Sequence, residues 1–386
     1  MKHHQKGDIP DEVEVHNMNK IGYWAAQEQY SLSQLLEFVV EAEKGGFIST
    51  MTSDHFHPWR HDNAFGNFTW IWISAAAERT KKMHFTTGVT APVYRYHPAI
   101  IAQAFASLDT LYPGRIGLGL GTSEAMNETP LGFKWPSAKV RLVRTREAIE
   151  IIKSLWKEGG GEGGENDNNN NNGFVTYNGA HYHIHKAKLY TPPASHHIPI
   201  YLAATGSQST KVAAQYTDGL ITYLKPDKAK EILSQFDKAA RASGRNPQSL
   251  EKIAEYKVSY SEDYDRAFES TNFWRATLIE NIFSSKIADP RKLEAKAKQE
   301  VPDEKLKESV QVTTSIEECI GSIEEYLNAG FTKVYVHSTS PEEIKFIQTF
   351  CKKVLPYFSN RERRGNSNNV KKQTTLEYNR GSASSA

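Results

Sequence analysis

The sequence predicts an α/β protein of the (β/α)₈ TIM-barrel class, and three observations carry that reading. Short apolar runs of strand character alternate with longer amphipathic stretches along most of the chain. About eight such repeats can be counted, the number that closes a barrel. No glycine-rich phosphate turn follows the first strand at Ile21, where an open doubly wound sheet would carry one. Finally, the densest group of functional side chains, Thr52 to His61, begins where an apolar strand ends, on the rim where such barrels do their chemistry.

Taken in order, Lys20 to Ala25 reads as the first strand, with Glu28 at its exit. Ser31 caps a helix whose Leu32, Leu35, Leu36, Val39 and Val40 recur at helical spacing until Gly45-Gly46 stops it. A short buried strand follows through Met51. A helix from Trp70 to Arg79, a strand from Met83 to Gly88, a helix from Pro98 to Leu111 and a strand from Arg115 to Leu120 continue the parallel pattern. The later units are a helix Ser137–Trp156, strand Ile198–Ala203, helix Ser207–Gln215, strand Gly219–Thr222 and helix Asp227–Ser243. A strand within Lys252–Tyr260, a helical stretch to about Lys307, helix Ile316–Leu327, strand Lys333–His337 and helix Glu342–Val354 complete the set.

Four stretches stand apart from the repeating pattern of a single domain spanning 19–358. The arm at 1–18 and the tail at 359–386 are polar and without period, and read as disordered. The Gly/Asn-rich run at 159–173 cannot pack a core and reads as a flexible surface insertion. Phe174 to Tyr190 alternates around a turn at Asn178-Gly179, as a hairpin does. His181, His183 and His185 share one face of it, and His196-His197 follow. No Cys or carboxylate completes a ligand set, so an exposed hairpin face is preferred to a metal site.

With 47 Lys+Arg against 45 Asp+Glu, the net charge of +2 argues against a nucleic-acid footprint or a membrane-binding surface. Two cysteines, Cys319 and Cys351, are too few for a disulfide framework and favour a reduced, cytoplasmic setting. No apolar run approaches the ~18 residues of a membrane span, and no apolar segment backs the N-terminal charges as a signal peptide requires. The chain therefore reads as soluble.

Two rim stretches carry chemistry-bearing residues. In Ser53-Asp54-His55-Phe56-His57-Pro58-Trp59-Arg60-His61, Asp54, His55 and Trp59 offer a charge partner, a titratable base and a flat apolar wall. An active-site loop is preferred for this stretch over the plainer reading of an N-cap and turn. In Gly117-Leu118-Gly119-Leu120-Gly121-Thr122-Ser123-Glu124, the glycines let backbone approach a ligand closely, or else serve tight strand packing, while Glu124 and Asn127 supply an acid and an amide. Phe68, Trp70 and Trp72 read as barrel packing rather than ligand stacking, and Arg141, Arg144 and Arg146 as a solvated helix face.

These residues, together with Tyr96-His97-Pro98-Ala99-Ile100-Ile101-Ala102-Gln103 and Leu111-Tyr112-Pro113-Gly114-Arg115, resemble the luciferase-like (β/α)₈ oxidoreductases. Within these they look closest to the coenzyme F420-dependent glucose-6-phosphate dehydrogenase group, over about Lys20 to Tyr357. The resemblance implies a dehydrogenase moving hydride from a hydroxyl carbon of a sugar or alcohol to the deazaflavin. It makes His55 the base, Glu124 the acid serving the reduced ring, Trp59 the aromatic beside the reacting centre and Glu28 an active-site glutamate. It gives Asp54, Asn127, Thr122 and Ser123 to the cofactor, Gly88-Val89 to a cis peptide against the ring, and Ala203-Ala204-Thr205-Gly206 to its phosphate side. The residue chemistry agrees, because imidazole is the side chain best matched to take an alcohol proton near neutrality, and a carboxylate at position 54 can orient it.

The chain also departs from that group. Ser284 or Ser285 and Ser309 stand where a lysine and an arginine are expected around a substrate phosphate, with Lys225 and Lys286 only nearby. A buried dianion without cations is heavily penalised, so an unphosphorylated substrate is favoured, contacted by Lys225, Ser285, Lys286 and Ser309. The alternatives are an FMN-dependent luciferase-like monooxygenase, an F420H2-dependent reductase and, least favoured, a non-enzymatic binding barrel. Relatives of this barrel pair through helices on one side, which implies a homodimer.

Overall fold

The structure is a computed structural model that describes residues 20–160 and 173–360. The arm, nearly all of the stretch at 159–173 and the tail beyond 360 lie outside the described residues. Eight parallel strands close into a barrel: β1 (Ile21–Ala25), β2 (Ser49–Thr52), β3 (His84–Thr87), β4 (Ile116–Leu120), β5 (Ile200–Ala203), β6 (Gly219–Thr222), β7 (Glu251–Tyr260) and β8 (Lys333–Ser338). Each strand pairs with the next, and β8 returns to β1 in the register Tyr23 with Val336.

The principal helix after each strand is α1 (Leu32–Lys44), α2 (Thr69–Arg79), α3 (Pro98–Leu111), α4 (Ala138–Gly160), α5 (Ser207–Tyr216), α6 (Pro226–Ala242), α7 (Ile316–Asn328) and α8 (Glu343–Thr349). The start of α1 is set by a reciprocal cap, in which Gln34 N–H donates to Ser31 Oγ and Ser31 N–H to the Gln34 side chain. Strand side chains alternate between two cores. Tyr23, Phe85, Leu118 and Val336 point outward onto the helices, whereas Trp24, Met51, Tyr201, Ile253 and Tyr335 fill the barrel interior.

Several boundaries differ from the expected ones for visible reasons. The helical stretch expected to run to Lys307 is broken into Tyr264–Ser270, two 3-10 segments, Pro290–Glu300 and Asp303–Ser309. Asn281 in left-handed geometry (φ 54°), together with Pro290 and Pro302, interrupts it. The hairpin strands Val175–Asn178 and His183–Ala187 are joined not by a two-residue Asn-Gly turn but by Gly179 to Tyr182. The Glu147 carboxylate on α4 accepts the N–H groups of Ala180, His181 and Tyr182 there, at 2.8–3.1 Å, and so fixes the wider loop.

The glycines of β4 serve strand packing. A Cβ at Gly119 would lie 1.9 Å from the Thr87 carbonyl oxygen, and one at Gly121 2.3 Å from Val89 Cγ2. Gly119→Ala therefore forces β3 and β4 apart and should destabilise by at least about 2 kcal/mol in urea denaturation. Gly321→Ala, in open space on α7, should stabilise by roughly 0.5–1 kcal/mol.

At the top of α8 the buried Glu343 carboxyl accepts from Tyr23 Oη at 2.9 Å and Tyr30 Oη at 3.4 Å. Tyr30 in turn receives Gln29, whose amide oxygen accepts Trp274 Nε1 at 3.1 Å, so the cluster braces a cavity-lining indole. Burial pushes the Glu343 carboxyl up to about 7 against hydrogen bonds from Ser338, Tyr23 and Tyr30. A carboxyl raised by folding favours the native state at low pH. Its contribution is complete below the unfolded value and is lost as pH rises towards about 7, by up to about 3 kcal/mol. Glu343→Gln should abolish that slope, so that its stability relative to the parent rises by about 2–3 kcal/mol between pH 4.5 and 7.5.

Candidate active site

A cavity of about 410 Å³ opens at the C-terminal mouth of the barrel. Its first wall comes from the exits of β1 and β2, laced by their own side chains. Thr52 Oγ1 donates to Ala25 O at 3.0 Å, Gln27 Nε2 donates to Thr52 Oγ1 at 2.9 Å, and Ser53 Oγ donates to Glu28 Oε2 at 2.6 Å. Phe65 N–H holds the Glu28 carbonyl at 2.8 Å. The Glu28 carboxylate is thereby fixed with Oε1 only 3.3 Å from His55 Nε2.

The second wall comes from β4. Ser123 adopts a left-handed φ of 64°, unfavourable for a residue with a Cβ, as the chain turns into the helical turn Ala125–Glu128. Glu124 precedes that turn and lines the cavity, and Asn127 within it joins the two walls. Asn127 Oδ1 accepts the Phe56 main-chain N–H at 2.8 Å. Its Nδ2 therefore faces Glu124 Oε2 at 2.8 Å and His55 Nδ1 at 3.1 Å.

That geometry assigns the neutral imidazole of His55. A main-chain N–H can only donate, so the Asn127 oxygen must sit at Phe56 and its NH₂ at His55, making Nδ1 an acceptor. The proton of neutral His55 then lies on Nε2, towards Glu28. Glu124 stands 4.0 Å from Nδ1, so the ring is flanked by two carboxylates, and the Trp59 indole packs edge-on at 5.6 Å between centroids.

His55, Glu28, Glu124 and Trp59 thus meet at one mouth, with Gly88, Val89, Thr122, Ser123, Ala203, Ala204 and Thr205 around the same cavity. The Gly88-Val89 peptide is cis, and a Cβ at Gly88 would strike Met51 and Trp24. Gly206 lies just outside as the N-cap of α5.

Asp54 is not the partner of His55 and does not line the cavity. It is buried, with Oδ1 2.6 Å from Arg95 Nη2 and Oδ2 accepting Thr90 Oγ1 at 2.7 Å. Those bonds leave the carboxylate facing β3 and the loop after it, and Glu28 takes the place beside the imidazole. Asn127 likewise acts through His55 and Glu124 rather than from the cavity wall.

On the substrate side, Lys225 and Ser309 line the cavity, but Ser285 and Lys286 do not. Ser285 Oγ accepts the Ile287 N–H at 3.1 Å and so braces its own loop. Two lysines that sequence reading passed over, Lys228 and Lys257, line the cavity together with Glu255 and His337. Glu255 and Lys257 alternate with the buried Ala254, Tyr256 and Val258 of β7, the pattern of inward-facing barrel positions, and this was the available signal.

The arginines of α4 also differ from a solvated face. Arg141 donates to Pro136 O and Phe283 O at 2.8 and 3.0 Å, and Arg144 donates to Val93 O at 2.7 Å while lying over Tyr94 and Tyr182. Asp109 anchors the loop ahead of β5 by accepting both Ser195 N–H and Oγ–H at 2.7 Å. Among the described residues no group of three or more His, Cys, Asp or Glu side chains is placed to hold a metal, and no helix is long and apolar enough to cross a membrane.

Comparison with known proteins accords with this rim. Residues 13–333 match the model of the luciferase-like monooxygenase family. An F420-dependent glucose-6-phosphate dehydrogenase of Microbacterium testaceum (strain StLB037) is 35% identical over 340 residues, covering 87% of this chain and 96% of that protein. The corresponding protein of Beutenbergia cavernae is 35% identical over 351 residues, covering 90% and 99%. Among solved structures, an F420-dependent secondary alcohol dehydrogenase in complex with an F420-acetone adduct superposes with a TM-score of 0.80 at 36% identity, covering 87% of this chain and 98% of that one. The F420-dependent tetrahydromethanopterin reductase of Methanopyrus kandleri, at 21% identity and a TM-score of 0.71, shares the fold. The chain belongs to the luciferase-like family.

The orientation of Asn127 can be tested apart from any reaction. Imidazole ¹⁵N resonances of His55 should show Nδ1 unprotonated in the parent protein. Asn127→Ala should remove that preference and lower stability by about 1–3 kcal/mol, because the Phe56 N–H loses its acceptor. An unchanged His55 spectrum in the variant would refute the assignment.

Proposed function

We propose that this member of the luciferase-like family is a coenzyme F420-dependent dehydrogenase that oxidises a hydroxyl-bearing carbon of a sugar or alcohol. The observation that carries the reading is the convergence of His55, Glu28 and Glu124 on one cavity whose remaining walls suit a flat ring.

Those walls bear a direct test of fit. Gly88 and Gly121 carry no side chain, Ala203 and Ala204 carry one carbon each, and Thr122 and Ser123 bring backbone and hydroxyl groups to the edge, so a planar polar ring meets little steric resistance. In this reading Gly88, Val89, Thr122, Ser123, Ala203, Ala204 and Thr205 hold F420, and Gly206 opens the helix end towards its phosphate. Bound F420 supplies the two-electron acceptor for the hydride that leaves the substrate carbon.

The chain's own residues handle the proton. An alcohol carbon releases hydride readily only as its hydroxyl proton departs. His55 with Glu28 is the accepting pair: the ring's lone pair is on Nδ1, so a substrate hydroxyl that displaces the Asn127 Nδ2–H from that atom gives its proton to Nδ1, while the Glu28 carboxylate, 3.3 Å from the Nε2–H, stabilises the imidazolium. Until substrate arrives, Asn127 holds the ring in this orientation. Glu124, held through its Oε2 by Asn127, is the acid on the cofactor side, and Trp59 shields the reacting centre from water. Asp54 supports this arrangement from the β2 exit.

Lys225, Lys228 and Lys257 make the substrate end more cationic than the serines at 285 and 309 suggested, so anionic substrates belong among those to be screened. The same reading places the enzyme in the cytoplasm as a homodimer. Both cysteines are free, and burial pushes each thiol up to about 12, away from reactivity. Phe68 at the N-cap of α2, Ile71 on α2 and Ile100 on α3 expose apolar side chains, a face suited to a second copy.

Fluorescence titration of the purified protein with F420 and with FMN tests the cofactor, with tighter binding of F420 expected. Preferential FMN binding would favour a flavin monooxygenase instead. His55→Ala should lower F420 reduction by alcohols by about 10²–10⁴-fold while leaving F420 affinity within a few-fold, and full turnover in that variant would remove His55 from the mechanism.

A further inference from the structure

Beneath the reacting centre lies a second imidazole that the proposed dehydrogenation leaves unused. His337, on the interior face of β8, is 1% exposed and lines the same cavity. Its Nδ1 is 2.6 Å from Glu255 Oε1 on β7, and the Lys257 ammonium lies 3.5 Å from the same oxygen. Burial pushes the Glu255 carboxyl up, but Lys257 and the hydrogen bond from His337 outweigh it and bring it down to about 2. Burial also lowers His337, against the pull of Glu255, so the ring is neutral and its single proton sits on Nδ1, facing the carboxylate.

That leaves Nε2 as a bare lone pair with no hydrogen-bond partner. The ring cannot turn to find one. Trp24 stacks on it at 5.2 Å with an interplanar angle of 5°, and Trp274 abuts it edge-on at 4.6 Å. Trp274 is itself held by Gln29 and by Lys257, whose ammonium lies 4.6 Å from its ring.

Two more polar atoms on cavity-lining residues share that condition. Trp24 Nε1, a donor, is buried without a partner, and so is Glu28 Oε1, which His55 Nε2 approaches at 3.3 Å without hydrogen-bond alignment. The Glu28 carboxylate also acts electrostatically on His337, so the same carboxylate serves both imidazoles. Buried polar atoms are nearly always paired, and one left without a partner is destabilising. His337 Nε2 and Trp24 Nε1–H together ask for one donor and one acceptor, which a single hydroxyl supplies. Glu28 Oε1 faces His55 Nε2 and is left to that ring.

We propose that His337 and Trp24 form a recognition subsite for a second substrate hydroxyl, with its O–H donating to His337 Nε2 and Trp24 Nε1–H donating to its oxygen. The substrate class is then a polyol, one hydroxyl presented to His55 for oxidation and its neighbour held on His337. This rests on the dehydrogenase reading for the reaction, but the subsite itself is a binding claim. It also separates substrates that share the reacting group, because a secondary alcohol lacking the second hydroxyl leaves the same buried atoms unpaired.

The experiment compares a polyol such as sorbitol with 2-propanol, both by F420 reduction and by isothermal titration of the F420-loaded protein, in the parent and in His337→Phe. The parent should prefer the polyol, and the variant should reduce the polyol-to-propanol ratio of kcat/KM by roughly 10–100-fold, chiefly through KM. A merely structural role would lower both substrates together and leave the ratio in place, which would overturn the proposal, as would a ratio unmoved in a fully active variant. Should His337→Phe not fold, Trp24→Phe keeps the stacked ring and removes only the Nε1–H donor. It should cut the ratio in the same direction, and an unchanged ratio there also overturns the proposal. If the parent protein reduces F420 with neither alcohol, the titration alone decides. The subsite then stands if titration shows polyol binding that His337→Phe or Trp24→Phe weakens by a similar factor, and falls if it shows none.

Discussion

The amide of Asn127 is the constraint on which the rest of the rim depends. One main-chain N–H, from Phe56, fixes which end of that amide is oxygen, and the other end must then donate to both His55 and Glu124. Residues that leave the barrel on different strands are thereby brought into one hydrogen-bonded unit, and the proton position of the base follows from a bond made two atoms away. A side chain with no contact to the cavity sets the chemistry of two that have it. Preorganisation of this kind places the polar groups before a substrate arrives, so little reorganisation is needed at the moment of reaction.

The unit is stable because the strand ends beneath it cannot separate. Glycines at 117, 119 and 121 let β3 and the residues after it lie against β4, with Thr90 N–H bonded to Gly119 O at 2.8 Å and Gly121 N–H to Thr90 O at 3.0 Å. Thr90 then passes the constraint on. Its hydroxyl donates to Asp54 and accepts Trp70 Nε1 at 3.2 Å, while Arg95 closes the other side of Asp54. A buried carboxylate is tolerable there only because an arginine and a hydroxyl satisfy it. Removing either partner alone would leave a charge in apolar surroundings. Asp54 therefore keeps the β2 exit in register with β3, and His55, the next residue, inherits its position.

Much of this was legible in the sequence. The alternation of short apolar runs with capped helices foretold the barrel, and Ser31, Gly45-Gly46 and Pro98 foretold element ends, because those signals depend on local backbone chemistry alone. The rim residues at 28, 55, 59 and 124 could be grouped because a parallel barrel puts every strand's C-terminal end at one mouth. Pairings across the rim could not be read in the same way. Asp54 and Glu28 both follow a strand end, and only the three-dimensional position of Arg95, 41 residues further on, decides which of them is free to face the imidazole. The same limit hid Arg141 and Arg144, whose helical spacing says nothing of carbonyls waiting on the loops they cover. Lys257, Glu255 and His337 were recoverable in part, since charged residues alternating within a buried strand have only the barrel interior to enter.

The two imidazoles of the cavity are held in opposite states, and that opposition gives the cavity its polarity. Asn127 donates to His55 Nδ1 and leaves the proton on Nε2, whereas Glu255 accepts from His337 Nδ1 and leaves Nε2 bare. Exchanging the two partners would invert both rings. The amide donor on His55 Nδ1 is neutral and a substrate hydroxyl can displace it, which opens that lone pair to the proton a base must take. A carboxylate that Lys257 keeps ionised locks His337 in one neutral form, and a ring so locked serves recognition better than proton transfer. The same residue type thus takes two roles a short way apart, and the distinction lies wholly in whether its hidden nitrogen meets a donor or an acceptor.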